Sequence, residues 1–251
     1  MKESLKALHN SVAHLNDVIE KVGPDKYESS AYPTEWSIAD TMSHIGSGAV
    51  IAGQNLSNIV SGSEPDPTFN QSTWDEWNAK APAAQVADAL AANAKLLDEL
   101  QMLDEAARDA FEFSMGPFKF DFGGFVGMRL NEQALHTWDI EVTYDASAVL
   151  AEDAAGVMLK NVPIFVGFAS KPTGEVIDLH VNTMSPDHHY VLSFKEDSVK
   201  LEDNDHGGHV DVELPSESFV RLVAGRLDPK HTPRGVESEH LDMLRIAFPG
   251  F

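Results

Sequence analysis

The chain contains no cysteine. Disulfides, thiolate zinc sites, iron–sulfur ligation and an enzyme-borne thiol nucleophile are therefore excluded, and any sulfur chemistry needs an imported thiol. Basic residues are scarce, with 18 Lys and Arg against 40 Asp and Glu, a formal charge of −22. Such a field repels phosphate backbones and anionic membrane surfaces, so nucleic acid and membrane are not expected as partners. A small anionic substrate would need a local arginine cluster or a metal to overcome it. No run approaches the ~18 consecutive apolar residues of a membrane span. The opening MKESLKALHNSVAHLNDVIE breaks every apolar run with polar or charged residues, unlike a secretory signal. The expected location is the cytoplasm.

What is present is enough apolar residue, 43% of 251, to fill real cores. A chain of this length predicts two domains of roughly 100–150 residues. The pattern changes near Leu150, in ASAVLAEDAAG, so the expected division is 1–150 and 151–251.

The first part reads as helical. Leu5, Leu8, Val12, Leu15, Val18 and Ile19 make an apolar stripe over 4–20 that Gly23-Pro24 ends. Ser37 and Asp40 form a capping-box-like start to a second helix that contains His44. Residues 61–82 read as a long connection, tacked down by Trp74 and Trp77. Residues 83–110 are dense in strong helix formers and predict one third helix. FEFSMGPFKFDFGG alternates aromatic and polar residues about Gly116-Pro117, the pattern of extended chain or a short hairpin. A fourth helix follows over 125–144. Four helices with one long crossover predict a bundle, whose interior is a usual place for a metal site. The second part predicts a helix near 152–169, strands at 176–182, 189–195, 198–202 and 210–214, and a helix at 216–225, a small α+β domain.

In RLNEQALHTWD, Glu132 and His136 are four apart and share one helix face, which suits two ligands of one ion. The spacing suits a solvated surface pair equally well. The apolar setting of Leu130, Ala134, Leu135 and Trp138, and of His44 in its own helix, favours buried groups that need partners. Two His and one carboxylate leave room for water or substrate, as in catalytic zinc sites. A rival cluster is His188-His189 with His206 and His209, although Gly207-Gly208 reads first as a hairpin turn.

Three stretches carry a family resemblance: Trp36-SIAD-TMS-His44, the run Arg129-LN-Glu132-QAL-His136-TW-Asp139, and the ending from RLVAG-Arg226 to RIAFPGF. In these the chain resembles the mycothiol-dependent maleylpyruvate isomerase family of DinB-like metalloenzymes. The resemblance implies a DinB-like four-helix bundle plus a small α/β domain, with His44, Glu132 and His136 holding a divalent metal, zinc by preference. It also implies that a mycothiol-like thiol serves as cosubstrate. Addition of the thiolate to a cis unsaturated diacid, rotation and departure would give the trans isomer. The same site could transfer the thiol to an electrophile, or activate water as a hydrolase. A bundle that only binds a ligand or a metal is the alternative outside enzymes.

Asp40 and Asp139, each one turn from a ligand histidine, are placed either to orient an imidazole or to serve as helix cap and helix surface. Arg129 is placed to pair with Glu132 or Asp139. Arg221 and Arg226 are the candidates for holding an anionic substrate, against solvated helix charge as the plain alternative.

Overall fold

The computed structural model describes residues 2–32, 35–204 and 208–250. These divide into two compact units, Met1–Ala148 and Val149–Phe251.

In the first unit, α1 (Lys2–Val22) buries Leu8, Val12, Leu15, Val18 and Ile19 and ends at Gly23, whose φ of 72° is one that side-chain-bearing residues rarely adopt. Helix α2 (Ile38–Ser61) starts on a full capping box: the Asp40 amide donates to Ser37 Oγ at 3.0 Å and the Ser37 amide donates to Asp40 Oδ2 at 2.9 Å. Gly62, at φ 69°, closes it in the left-handed conformation.

The stretch expected to be a connection holds a helix of its own, α3 (Phe69–Asn78). Its sequence has little helical periodicity, and a tertiary contact anchors it: Trp77, 4% exposed, lies on Gly46 of α2, where a Cβ would run into the indole. Burial of a Trp is worth on the order of 3–5 kcal/mol relative to Ala, enough to override weak propensity. Trp74 stays 43% exposed.

The single helix expected over 83–110 is two. Helix α4 (Pro82–Met102) stops at Leu103, which is extended, and Asp104 caps α5 (Glu105–Asp109) by accepting from the Ala107 amide. An Asp able to serve as N-cap competes with continuation, so helix formers on both sides do not make one helix. Strands β1 (Phe113–Met115) and β2 (Phe118–Phe120) form the short hairpin over Gly116. Asp121 then caps α6 (Phe122–Glu141) through the Gly124 amide at 2.7 Å. The four long helices pack in pairs, α2 on α4, α1 on α6, α2 on α6 and α1 on α4.

One link between α1 and α6 is ionic. His14 Nε2 donates to Glu141 Oε2 at 2.7 Å, and this hydrogen bond raises the His14 pKa above 6.5 against the opposing effect of burial. A raised folded-state pKa contributes stability that is complete below the unfolded value and is lost as pH rises through the folded one. His14→Ala should therefore lower the urea midpoint measurably near about pH 5.5 and little near about pH 9. With a half-exposed imidazole the difference is expected to stay below about 1 kcal/mol. An equal loss at both pH values would remove the ionic account.

The second unit opens with α7 (Glu152–Met158), a 3₁₀ turn over Leu159–Asn161 and α8 (Val162–Ala169). The turn and Pro163 divide what the sequence presents as one helix. A mixed four-stranded sheet follows in the order β5-β4-β3-β6, from β3 (Ile177–Met184), β4 (His188–Phe194), β5 (Val199–Asp203) and β6 (Val212–Pro215). Its antiparallel pairs are β3–β4 and β4–β5, and β6 lies parallel to β3. Leu179, Val181, Leu192 and Phe194 point to the core, where α9 (Ser216–Val223) sets Phe219 against Tyr190. A last helix, α10 (Leu241–Ala247), closes the unit. Among the described residues no helix is long and apolar enough to cross a membrane.

Candidate metal centre

Helices α2 and α6 pack against each other, and from them His44, Glu132 and His136 meet. His44 lies in the second turn of α2, and Glu132 and His136 project from one face of α6, as their four-residue spacing requires. One ring nitrogen of each histidine and a Glu132 carboxylate oxygen all lie within 4.8 Å of one another. His44 Nε2 donates to Glu132 Oε2 at 2.8 Å, and His136 Nε2 is 3.6 Å from the same oxygen. The imidazole centroids are 4.6 Å apart.

Asp139 sets the orientation of His136. It is wholly buried, and its Oδ2 accepts from His136 Nδ1 at 2.8 Å. With the proton held on Nδ1, the lone pair of Nε2 is directed to the Glu132 side, the tautomer that can bind a cation. Asp40 is instead engaged by the capping box, its Oδ2 also accepting from Ser37 Oγ at 2.6 Å. Desolvation raises the Glu132 pKa, but the hydrogen bonds and charge of His136 and His44 outweigh it and hold the carboxyl well below the usual carboxylate range. A carboxylate that stays ionised beside two imidazole nitrogens is a donor set that could hold a divalent transition metal.

The ring of Trp36 covers both histidines, 5.1 Å from His44 and stacked at 5.9 Å over His136. Spacing gave this residue no place in the site. It lies just before the Ser37 cap, in a segment held to α6 by a hydrogen bond from the Tyr32 amide to the Asp139 carbonyl at 2.9 Å. Its signals in the sequence were its place next to a helix start and its position in the Trp36-SIAD-TMS-His44 stretch of the family resemblance.

Arg129 pairs with neither Glu132 nor Asp139. It is buried and its hydrogen bonds go to neutral acceptors, on α2 and α4 and at Gln133 of its own helix. Arg221 is 1% exposed; its Nε and Nη2 donate to the two Glu217 oxygens at 2.7 and 3.0 Å, and Nη1 donates to the carbonyls of His231 and Arg226 at 2.9 and 3.3 Å. Arg226, also buried, donates to the Ala224 carbonyl at 2.8 Å.

The rival histidines do not converge among the described residues, of which His206 is not one. His188 stacks on Tyr190, His189 Nδ1 donates to Asn182 Oδ1 at 2.6 Å, and His209 Nε2 donates to Asp211 Oδ1 at 2.8 Å. Strand alternation sends neighbouring histidines to different partners.

The family model described as the mycothiol maleylpyruvate isomerase N-terminal domain matches residues 8–141. Among solved structures, a crystal structure of the mycothiol-dependent maleylpyruvate isomerase superposes with a TM-score of 0.66 at 16% identity, over 95% of this chain and 92% of that one. The crystal structure of a histidine-to-alanine mutant of the mycothiol-dependent maleylpyruvate isomerase superposes with a TM-score of 0.64 at 15% identity, over 90% and 89%. At these identities the likeness is one of fold. No curated protein matches the chain by sequence.

Proposed function

From a chain that belongs to the mycothiol maleylpyruvate isomerase N-terminal domain family, we propose a metal-dependent enzyme that uses a low-molecular-weight thiol, of the mycothiol kind, to isomerise a cis unsaturated diacid such as maleylpyruvate. The observation that carries the reading is the meeting of His44, Glu132 and His136 within 4.8 Å in a helical unit read as a DinB-like bundle. These three residues would hold the metal, zinc by the chemistry of two imidazoles and a carboxylate. When bound, such an ion lowers the pKa of a coordinating thiol, so that a thiolate is available near neutral pH to add to the double bond and to leave after rotation.

The chain's own residues supply the rest. Asp139 holds His136 in the ligating tautomer, and Trp36 walls the two imidazoles from solvent on one side. A cation and the proton shared by His44 and Glu132 compete for the same atoms, so metal binding weakens as pH falls. For the carboxylates of an anionic substrate Arg221 and Arg226 are the proposed residues, and four of the five guanidinium hydrogens of Arg221 are taken by Glu217 and two carbonyls.

The test is turnover of maleylpyruvate by the zinc-loaded protein with and without mycothiol, followed by chromatography of the two isomers. Isomerisation that stops when the thiol is left out supports the reading. Stoichiometric consumption of thiol by an electrophile, without isomerisation, makes the protein an S-transferase. Hydrolysis of an ester or amide without thiol makes it a hydrolase, and metal binding with no turnover leaves a binding module.

A further inference from the structure

Arg129 is a buried cation, 5% exposed, with no carboxylate in ion-pair reach among the described residues. Its Nη2 donates to three acceptors on three helices: the Ile45 carbonyl of α2 at 2.9 Å, Asn93 Oδ1 of α4 at 2.8 Å and Gln133 Oε1 of α6 at 3.0 Å. Ile45 follows His44 directly, and Gln133 follows Glu132. Gly48 of α2 eases the approach, since a Cβ there would stand 3.0 Å from Arg129 Nη1.

Placing an unpaired guanidinium in a helical core is costly. Desolvation pulls the Arg129 pKa down to about 10 even though the nearby Glu132 charge opposes it. A methionine or leucine of similar reach would fill the same space at less cost, because buried ions seldom improve on apolar packing. What an apolar side chain would lack is direction. A guanidinium bonded to a main-chain carbonyl beside one ligand and to a side chain beside another holds two helices in one register, and a greasy contact tolerates sliding.

We propose that Arg129 is a positioning residue, a strut that registers α2 against α6 so that His44 meets Glu132 and His136 in ligating geometry. The inference rests on the metal reading of those three residues. Arg129 touches neither the ion nor the substrate and acts only through the helices that carry the ligands.

The experiment compares wild type, Arg129→Met and Leu8→Ala, the last a core truncation in α1 that lowers stability without touching the strut. Two readouts are taken: the imidazole ¹⁵N–¹H cross-peaks of the metal-free proteins, and zinc affinity by competition with a chromophoric chelator. Arg129→Met is expected to shift or double the His44 and His136 cross-peaks, to leave those of His240 in place, and to weaken zinc about 10- to 100-fold, the range seen when groups supporting a ligand are removed. Leu8→Ala is expected to change neither readout at a comparable or larger loss of stability. Unmoved imidazole cross-peaks in Arg129→Met, or zinc affinity that follows stability alike in both variants, would overturn the strut. Should wild type bind no zinc, the metal reading fails, and the metal-free cross-peaks still decide the strut. If Arg129→Met does not fold, Arg129→Lys, which keeps the charge and loses the fork, enters the same comparison with intermediate effects expected.

Discussion

Alanine at His44, Glu132 or His136 is expected to abolish stoichiometric zinc binding, measured as metal content per chain after reconstitution and dialysis. Each residue supplies one of three donor atoms that lie within 4.8 Å of one another, and two protein ligands rarely retain a zinc ion through dialysis. The fold should survive each change, because the Glu132 side chain is half-exposed and neither imidazole belongs to the apolar core cluster. Asp139→Asn probes the next level. Its amide can present nitrogen or oxygen to His136 Nδ1, so the ligating tautomer is no longer enforced, and zinc affinity should fall by about 10- to 100-fold without being lost. Metal retained at wild-type level in all three alanine variants would remove the site and the thiol chemistry built on it, leaving a binding module.

Arg221→Ala is expected to cost about 3–5 kcal/mol in the urea unfolding of the second unit, the range for breaking one side of a buried ion pair. The loss has two parts. Glu217 would keep a carboxylate in the interior with its bidentate partner gone, and the carbonyls of Arg226 and His231 would lose the donor that holds the segment after α9. Glu217 also accepts from the Leu150 amide and from Ser218, so the pair ties the beginning of the unit to α9. Replacing both partners together, Arg221→Met with Glu217→Leu, should recover much of the stability, since no charge is then stranded. A variant that keeps wild-type stability and shows only a raised KM would instead give Arg221 a part in holding substrate.

The helices with strong periodicity and clear caps were legible in the chain itself. The Leu8-Val12-Leu15-Val18 stripe, the Ser37/Asp40 box and the alternation in β3 and β4 are local patterns, and local patterns survive in any tertiary setting that buries the apolar face. Elements whose reason lies elsewhere were not legible. The helix α3 depends on the absence of a Cβ at Gly46, thirty-one residues before Trp77, and the break at Leu103 turns on whether Asp104 caps or continues. The closing helix α10 is short and carried no distinct signal of its own.

The same division runs through the candidate site. Sequence alone determined which side chains could serve: a Glu and a His on one helical face, another His on an apolar helix, no cysteine to compete, and an acidic chain that needs local positive charge for an anion. It could not decide the partners of ions and polar groups, because those depend on distances between residues far apart in sequence. Asp40 lies four residues before His44 and Asp139 three after His136, each about one turn from a candidate ligand, yet one caps its helix and the other orients an imidazole. Arg129 lies three residues from Glu132 but spends its hydrogen bonds on Ile45, Asn93 and Gln133. Periodicity limits a side chain to a face, and only packing of that face against other helices settles which acceptor stands within three ångströms.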